Sequence, residues 1–440
     1  MANPLYYVTS AQTPGNTPSF NIYIQKSTDD GANWTTVYDG PLGIQNFDVL
    51  LISGVLHIWG DDLNGSGNMS VFRFDTATDS MLDSGTDLGL GFDTTLGVKA
   101  AQFAGGKVLL AFNAGSNTST YLYDPTLNTI SSGVDFDQSG GKQVYAAVVD
   151  PGTDTGFVWF GLGGISGFDN EVDCVPVSNT NVQQPSVVSF IASQATGANQ
   201  LPRNVGRAVI SGGKLCIIYV HSVSTASPAV IGTLRVARAT PGNAPVFSDE
   251  LVYTDAQPPY LWTLSNEDWF IPTLVDVSGT LNAFFQVNVN QDDLNTSQAK
   301  LLYATSSTPG SWSADAIAFT APASSDALSA YPLALSGGGV GVIACYANPV
   351  ETFPLAGTLL VSYIALPGPT SSTVALGQSI AFIGSSSNNG PTNLLFEVTE
   401  SAPLALACPV DGGTAQVGVF YDKTLQISGG TPPYTVEIIP

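Results

Sequence analysis

The chain repeats one local pattern, in which two apolar runs are joined by a short turn that contains glycine. Residues 207–220 (RAVISGGKLCIIYV) show this pattern clearly. Because β-branched and aromatic residues suit a pleated strand and glycine supplies the backbone angles of a tight turn, each copy predicts a β-hairpin. The runs are apolar on both faces, which indicates strands that are buried on both sides. Further copies occupy Phe47–Trp59, Val98–Phe112, Val144–Phe160, Ile271–Val287 and Tyr331–Tyr346.

A second kind of hairpin, with a more polar turn, alternates with these copies and sets the length of the repeat. Its first strand begins near Ile22, Val71, Tyr121, Val172, Leu234, Leu301 and Leu359. The spacing is about 50 residues early in the chain and about 60 later, which suits a propeller blade of four antiparallel strands, A to D. Seven such hairpins predict an all-β fold with a seven-bladed β-propeller over residues 1–400. An array of β-sandwiches is the alternative, whereas an up-and-down barrel does not explain so long a period.

The two ends of the repeat region are predicted to meet in one blade. Seven polar-turn hairpins are preceded by only six apolar ones, so one blade lacks its inner strand. The N-terminal run Leu5–Ser10 supplies a B strand with no A strand before it. Because a closed ring leaves no strand edge unpaired, the missing strand should come from the other end of the chain. Asn393–Val398 follows the last hairpin, and we predict that it pairs with Leu5–Ser10.

Composition limits the partners and the location. Lysine and arginine total 12 against 35 acidic residues, a net charge of -23, which disfavours binding to nucleic acid or to an anionic membrane. No apolar run is long enough to span a bilayer, so we expect no membrane insertion. The first residues, MANPLYYVTSA, lack the pattern of a signal peptide. We nevertheless expect an extracellular, cell-surface or virion location, reached with a leader outside this sequence or inside a virus particle.

Residues 27–34 (STDDGANW) occupy the turn of the first polar hairpin. They resemble the Asp-box of sialidase-type propellers, S-x-D-x-G-x-x-W, at Ser27, Asp29, Gly31 and Trp34. Ser306–Trp312 (SSTPGSW) resembles a degenerate copy that lacks the aspartate. The resemblance implies a structural role, in which the carboxylate accepts backbone N–H bonds across the turn and the tryptophan packs between sheets. In that family this turn lies on the face opposite the ligand site.

The resemblance does not extend to sialidase catalysis, which needs three converging arginines. The five arginines are Arg73, Arg203, Arg207, Arg235 and Arg238. Four of them belong to one predicted blade, so a carboxylate clamp of three is not expected. The chain has two histidines and no GxSxG, HExxH or Walker motif. We therefore expect a non-catalytic protein. An extracellular glycoside hydrolase or lyase with central carboxylates is the alternative, since acidic residues are plentiful.

Three loops on the predicted ligand face carry candidate binding residues. Two of them share the sequence Asp-Asp-Leu-Asn, whose oxygens are suited to a hard cation such as Ca²⁺. The candidate ligands are Asp61, Asp62, Asn64, Asp292, Asp293 and Asn295. Solvated, turn-forming acids are the alternative interpretation of these two loops. The third loop, Thr254–Phe270, brings aromatic rings and carboxylates together, which predicts stacking on a sugar, although rings that fill a gap between blades would look similar. Its candidate ligand-binding residues are Tyr260, Trp262, Glu267, Asp268 and Trp269.

The composition changes after Ser401. Residues 404–438 resemble the start of a bacterial immunoglobulin-like repeat, in which a Gly-x-x-Tyr strand leads through a leucine to a Gly-Gly-x-Pro-Pro-Tyr turn. The matching residues are Gly418, Tyr421, Leu425, Gly429, Gly430, Pro432, Pro433 and Tyr434. A complete domain of this type needs about seven strands. Residues 401–440 are therefore predicted to form a partial Ig-like segment that is truncated, packs on the propeller, or is completed by another chain.

These observations favour a recognition or structural protein, displayed on a bacterial surface or a phage particle. We expect it to bind a glycan or a surface protein through the ligand face of the propeller. The C-terminal segment would attach it to other protein subunits.

Overall fold

A computed structural model of the chain describes residues 3–12, 20–40, 47–61, 67–91, 97–114, 117–131, 133–137, 143–161, 172–181, 188–191, 200–203, 205–224, 230–254, 272–288, 298–323, 325–348, 356–367, 370–374, 381–383, 393–398, 405–407 and 426–428. Every regular element in these ranges is a β-strand, as the hairpin pattern predicts. Within the same ranges no helix has the length and apolar character that a membrane crossing requires.

The strands in the first half of the chain are β1 (Leu5–Gln12), β2 (Phe20–Ser27), β3 (Thr35–Gly40), β4 (Asp48–Ile52), β5 (Val55–Asp61), β6 (Asn68–Asp75), β7 (Ser80–Met81), β8 (Thr86–Gly91), β9 (Val98–Gln102), β10 (Val108–Ala114), β11 (Asn117–Asp124), β12 (Thr129–Ile130), β13 (Val134–Asp137), β14 (Gln143–Asp150), β15 (Thr155–Gly161), β16 (Val172–Ser178) and β17 (Val188–Ile191). Those in the second half are β18 (Gln200–Arg203), β19 (Ala208–Ser211), β20 (Lys214–Ser224), β21 (Val230–Ala239), β22 (Ser248–Thr254), β23 (Thr273–Val277), β24 (Thr280–Asn288), β25 (Ala299–Ser306), β26 (Ala316–Thr320), β27 (Asp326–Ala334), β28 (Val340–Asn348), β29 (Ala356–Leu366), β30 (Thr370–Thr373), β31 (Ala381–Ile383), β32 (Asn393–Glu397), β33 (Ala405–Ala407) and β34 (Gln426–Ser428).

The main strands form seven antiparallel blades arranged as a β-propeller. From the inner strand A to the outer strand D, blade 1 is β32-β1-β2-β3, blade 2 is β4-β5-β6-β8 and blade 3 is β9-β10-β11-β13. Blades 4 to 7 are β14-β15-β16-β17, β19-β20-β21-β22, β23-β24-β25-β26 and β27-β28-β29-β30. Short strands extend several blades: β18 pairs with β20, and β7 and β12 pair with the C strands β6 and β11.

Blade 1 is built from both parts of the chain that the sequence predicts will pair. Leu5 lies opposite Glu397 and Thr9 opposite Asn393, and the Val398 amide donates to the Pro4 carbonyl at 2.8 Å. A second link runs through β31, which pairs with β29 and also meets β1 at Gln12 and Ala381. Blades 7 and 1 are thereby hydrogen-bonded into one sheet, which supports the closure of the ring.

Seven large apolar clusters, one between each pair of neighbouring blades, form most of the core of the described residues, and a small eighth cluster contains Ala321 and Tyr346. Successive side chains of a strand point to opposite faces, so each blade contributes to two clusters. On β1, Tyr6 faces blade 2 whereas Tyr7 faces blade 7, and both are fully buried. Burial of each such side chain stabilises the fold by about 1.5–3 kcal/mol. This arrangement accounts for runs that are apolar on both faces.

The C-terminal segment is described only in part. β33 and β34 form a separate two-stranded antiparallel sheet, with Leu406 opposite Ile427. The eight residues that carry the Ig-like resemblance lie outside the described residues. The Ig-like character of residues 401–440 therefore stays a prediction.

Candidate functional site

Most of the binding residues predicted from the sequence lie outside the described part of the chain. The five candidate glycan-binding residues, Tyr260, Trp262, Glu267, Asp268 and Trp269, all fall within residues 255–271, which are not described. Of the candidate calcium ligands, Asp61 ends β5, whereas Asp62, Asn64, Asp292, Asp293 and Asn295 are not described. Among the described residues no group of three or more His, Cys, Asp or Glu side chains could hold a metal ion.

The turn at residues 27–34 is held together by its own side chains. The Ser27 hydroxyl donates to Asp29 Oδ1 at 2.8 Å and accepts the Gly31 amide at 3.0 Å. The side-chain amide of Asn33 donates to Asp29 Oδ2 at 2.6 Å, and its backbone amide donates to Oδ1 at 2.8 Å. The hydrogen bonds from Asn33, together with that from Ser27, lower the pKa of the exposed Asp29 carboxyl. Both oxygens of this carboxylate are thus used within the turn.

Trp34 connects this turn to the neighbouring blade. Its indole N–H donates to the Gly31 carbonyl at 2.9 Å, and its ring meets Tyr363 edge-on with centroids 5.6 Å apart. Tyr363 lies on the C strand of blade 7, so the contact joins blade 7 to blade 1. Gly31 has a φ of 81°, and a Cβ at this position would overlap the Tyr363 ring. Ser27, Asp29, Gly31 and Trp34 thus each make a contact that stabilises the turn or its packing on blade 7.

The degenerate copy at Ser306–Trp312 also lies between two blades, but its contacts involve charged side chains. Trp312 Nε1 donates to Glu250 Oε2 at 3.1 Å, and the Arg238 guanidinium lies 5.8 Å from the Trp312 ring centre. Arg238 also donates to the Ser306 hydroxyl at 3.1 Å and pairs with Glu250. The ion pair lies within blade 5 and is buried against Ser306 and Trp312 of blade 6, so a charged pair contacts the next blade here, whereas two aromatic rings meet between blades 7 and 1.

The residues at one level of the inner strands, most of them polar, form a set that we call the channel ring. In five blades the residue at the end of the inner strand, or directly after it, faces the next blade. These residues are Ile52, Phe103, Ser211, Val277 and Leu335. Side chains alternate along a strand, so the residue four positions earlier faces the same way. These residues are Asp48, Lys99, Arg207, Thr273 and Tyr331. In blade 4 the inner strand has a bulge at Tyr145, and in blade 1 the matching residue is Leu394.

The channel ring lies at the face of the propeller where the inner strands begin. In an antiparallel blade the A strand leaves this face and the B strand returns to it, so B–C and D–A connections join strands here. The turn at residues 27–34 is a C–D turn and lies at the other face. The ring is thus at the face that the sequence predicts for a ligand.

Asp48 is tied to the blade next to its own. Its Oδ1 accepts the Val49 amide at 2.9 Å, and its Oδ2 accepts the Ala100 amide of blade 3 at 2.8 Å. Burial of this carboxyl raises its pKa, while the positive charges of Lys99 and Arg207 act in the opposite direction. The residue as a whole keeps partial contact with solvent even though protein atoms surround the carboxyl. Asp48 is therefore a shielded acid beside two cations.

Arg207 extends from blade 5 to blade 7. Its guanidinium lies 4.7 Å from the centre of the Tyr331 ring, and Nη1 donates to the Pro332 carbonyl at 3.4 Å. The preceding residue must be glycine, because a Cβ on Gly206 would overlap the Pro272 carbonyl of blade 6. Burial raises the pKa of the Tyr331 phenol, and the same cause raises that of Tyr145. Both phenols are neutral hydrogen-bonding groups at neutral pH.

The two cations of the channel ring are not neutralised by partners in the described part of the chain. The ion pairs between described residues are Lys26–Asp79, Arg73–Asp83, Arg235–Asp249 and Arg238–Glu250. The cation of each pair belongs to a C strand, away from the channel. Lys99 and Arg207 form no such pair. The ring thus offers charged donors, phenols and a shielded carboxyl to a polar ligand.

Three residues of the channel ring are noticeable in the sequence, but their local pattern does not show that they lie together. Asp48, Lys99 and Arg207 each break an apolar run at its start, a few residues before a turn. Each of them alone is typical of a solvated strand end. Only the register of the blades shows that they share one level of the channel.

No protein-family model and no curated protein matches the chain. Solved structures that resemble it include a polysaccharide lyase of family PL25, an ulvan lyase, at 14% identity over 88% of this chain and 92% of that chain, with a TM-score of 0.44. A thermostable family-43 glycoside hydrolase matches at 12% identity over 61% and 92%, with a TM-score of 0.36. Hydrazine synthase from Kuenenia stuttgartiensis matches at 11% identity over 67% and 75%, with a TM-score of 0.41. At such identities and TM-scores these likenesses assign no activity to this chain.

Proposed function

We propose that this protein is a non-catalytic recognition protein that binds a glycan through the face at which the inner strands begin. The observation that supports this is the channel ring, in which Arg207 is held over Tyr331 beside Lys99 and Asp48. Glycan sites combine a few directed polar groups with aromatic surface. A small set of polar side chains near the centre of the propeller suits a sugar unit or the end of a glycan better than the broad surface of a folded protein.

The proposal includes display on a bacterial surface or a phage particle, with attachment through the C-terminal segment to other subunits. The propeller supplies a rigid platform, because apolar clusters fill all seven interfaces between blades. The separate sheet of β33 and β34 follows the strand that closes the ring. Attachment through it would leave the ligand face free.

A glycan-active enzyme is the second candidate function, and Asp48 is the observation that favours it. A general acid needs a raised pKa, and burial raises that of Asp48. A glycosidase, however, uses two carboxyl groups that face the sugar. Among the described residues of the channel ring, Asp48 is the one carboxyl, and both of its oxygens accept backbone amides. The arrangement therefore supports binding better than hydrolysis.

A glycan array probed with the purified chain, together with turnover assays on fluorogenic glycosides and uronate polymers, tests the proposal. We expect binding to a defined class of glycan and no turnover. The control is the variant Asp48→Asn, which keeps an oxygen acceptor and loses the acid. Turnover by the unaltered chain that Asp48→Asn abolishes would establish the enzyme and reject the recognition protein.

We further propose that the two Asp-Asp-Leu-Asn loops bind calcium. Their closely spaced oxygens are the basis, since Ca²⁺ prefers carboxylate and amide oxygens. A site filled at 100 times its dissociation constant stabilises the fold by about 2.7 kcal/mol. We therefore expect EDTA to lower the melting temperature by several degrees and Ca²⁺, but not an equal concentration of Mg²⁺, to restore it. An unchanged melting temperature in EDTA would contradict a stabilising calcium site.

A further inference from the structure

We propose that the channel ring selects its glycan by a carboxylate, which binds between Arg207 and Lys99, so that the ligand is a uronate-containing glycan. This inference rests on the proposed glycan recognition and specifies the ligand class. Lys99 lies on the inner strand of blade 3, and Arg207 directly precedes the inner strand of blade 5.

The charge distribution is the first reason. The chain carries a net charge of -23, with 35 acidic residues available as partners for 12 cations. Arg238, Arg235, Arg73 and Lys26 each have a carboxylate within ion-pair distance. Lys99 and Arg207 lie close enough to Asp48 to lower the pKa of its carboxyl. Neither forms an ion pair with Asp48, whose two oxygens accept backbone amides instead. Counted over the described residues at this level, two cations and one carboxylate give a local charge of about +1.

The unused hydrogen-bonding capacity of Arg207 is the second reason. A guanidinium has five N–H donors in a planar fork, and the bond that Arg207 makes to Pro332 is long, at 3.4 Å. A carboxylate matches this fork and accepts two N–H bonds at once. A hydroxyl of a neutral sugar offers a single uncharged acceptor. The donors of Arg207 therefore discriminate in favour of an acid sugar.

Two contacts orient the exposed side chain of Arg207 before a ligand arrives. Its contact with the Tyr331 ring and its bond to Pro332 hold the side chain across the channel. Tyr331 is held in turn by the apolar clusters on either side of blade 1. A side chain that is already ordered loses less entropy on binding, so more of the charge attraction appears as affinity. Gly206 keeps the inner strands of blades 5 and 6 close together at this point.

The test compares matched acid and neutral ligands by isothermal titration calorimetry. The probes are trisaccharides of galacturonate, glucuronate and mannuronate, each beside its fully methyl-esterified form. We expect at least one acid trisaccharide to bind about 10–100 times more tightly than its ester, as charge-assisted hydrogen bonds imply. Arg207→Gln and Lys99→Gln should each remove most of this preference. Arg207→Lys, which keeps the charge and loses the fork, should keep part of it, and Asp48→Asn should strengthen binding of the acid form.

Lys107→Gln is the control for net charge. Lys107 lies in the A–B turn of blade 3, at the opposite face from Lys99, and its replacement changes the total charge equally. It should leave the preference for the acid form unchanged. Thermal unfolding of every variant shows whether it is folded. If Arg207→Gln is unfolded, the conservative variant Arg207→Lys tests the site, and we expect it to show a reduced preference for the acid form.

The outcomes separate this inference from the function on which it rests. Equal binding of acid and ester, or a preference that survives Arg207→Gln and Lys99→Gln, would overturn the carboxylate site while glycan recognition stands. Binding confined to neutral glycans of the array would do the same. If neither acid nor neutral glycans bind, the recognition function itself is wrong.

Discussion

Gly31→Ala is expected to lower the free energy of unfolding by about 2–4 kcal/mol, although it adds a single methyl group. Gly31 has a φ of 81°, a conformation that costs a residue with a Cβ about 1 kcal/mol. The added Cβ would also overlap the Tyr363 ring. That ring also contacts Trp34, at a centroid distance of 5.6 Å, and lies close to Gly341, so it has little room to move. Overpacking of this kind costs about 1–3 kcal/mol.

Gly279→Ala is the matched control for the backbone contribution. Gly279 has a φ of 85° in the A–B turn of blade 6, and an added Cβ there would meet no atom within 4 Å. We expect a loss of about 1 kcal/mol for this variant, measured like the first by urea unfolding. The difference between the two losses is the contribution of the contact with Tyr363. In a Tyr363→Ala background Gly31→Ala should therefore cost no more than Gly279→Ala, and an undiminished loss would contradict the packing argument.

The closure of the ring could be predicted because it follows from counting strands. Leu5–Ser10 lacks an inner neighbour, Asn393–Val398 has no other place in the repeat, and an unpaired edge is unfavourable. The burial of both faces of each blade could also be predicted, since adjacent apolar residues such as Tyr6 and Tyr7 must face different blades. In both cases the information is local or results from one count along the chain.

The channel ring could not be predicted in the same way. Asp48, Lys99, Arg207 and Tyr331 belong to four blades and are separated by many residues, so no local pattern links them. Their common level depends on irregular details of the inner strands. The turn after Phe103 is longer than the turn after Ile52, and Tyr145 sits in a bulge. Each irregularity shifts the register by a residue, which reverses the face that a side chain occupies.

Arg238→Met is expected to lower the free energy of unfolding by about 3–5 kcal/mol, because it leaves a buried carboxylate without its cation. The side chains of Arg238 and Glu250 are each 8% exposed, and Arg238 Nε lies 2.9 Å from Glu250 Oε1. The Nε–H is not aligned for a hydrogen bond, so the attraction at this contact is that of the charges. After the substitution Glu250 retains the indole N–H of Trp312 at 3.1 Å as a donor.

Arg235→Met, three residues earlier on β21, is the matched control. Arg235 Nη1 lies 3.7 Å from Asp249 Oδ2, and the two side chains are 31% and 46% exposed. Solvent screens such a pair, so we expect a loss of at most about 1 kcal/mol. The double variant Arg238→Met/Glu250→Leu should recover most of the stability lost in Arg238→Met, since it removes the stranded charge. Equal losses for Arg238→Met and Arg235→Met, or no recovery in the double variant, would show that the interface between blades 5 and 6 depends on its apolar cluster rather than on this ion pair.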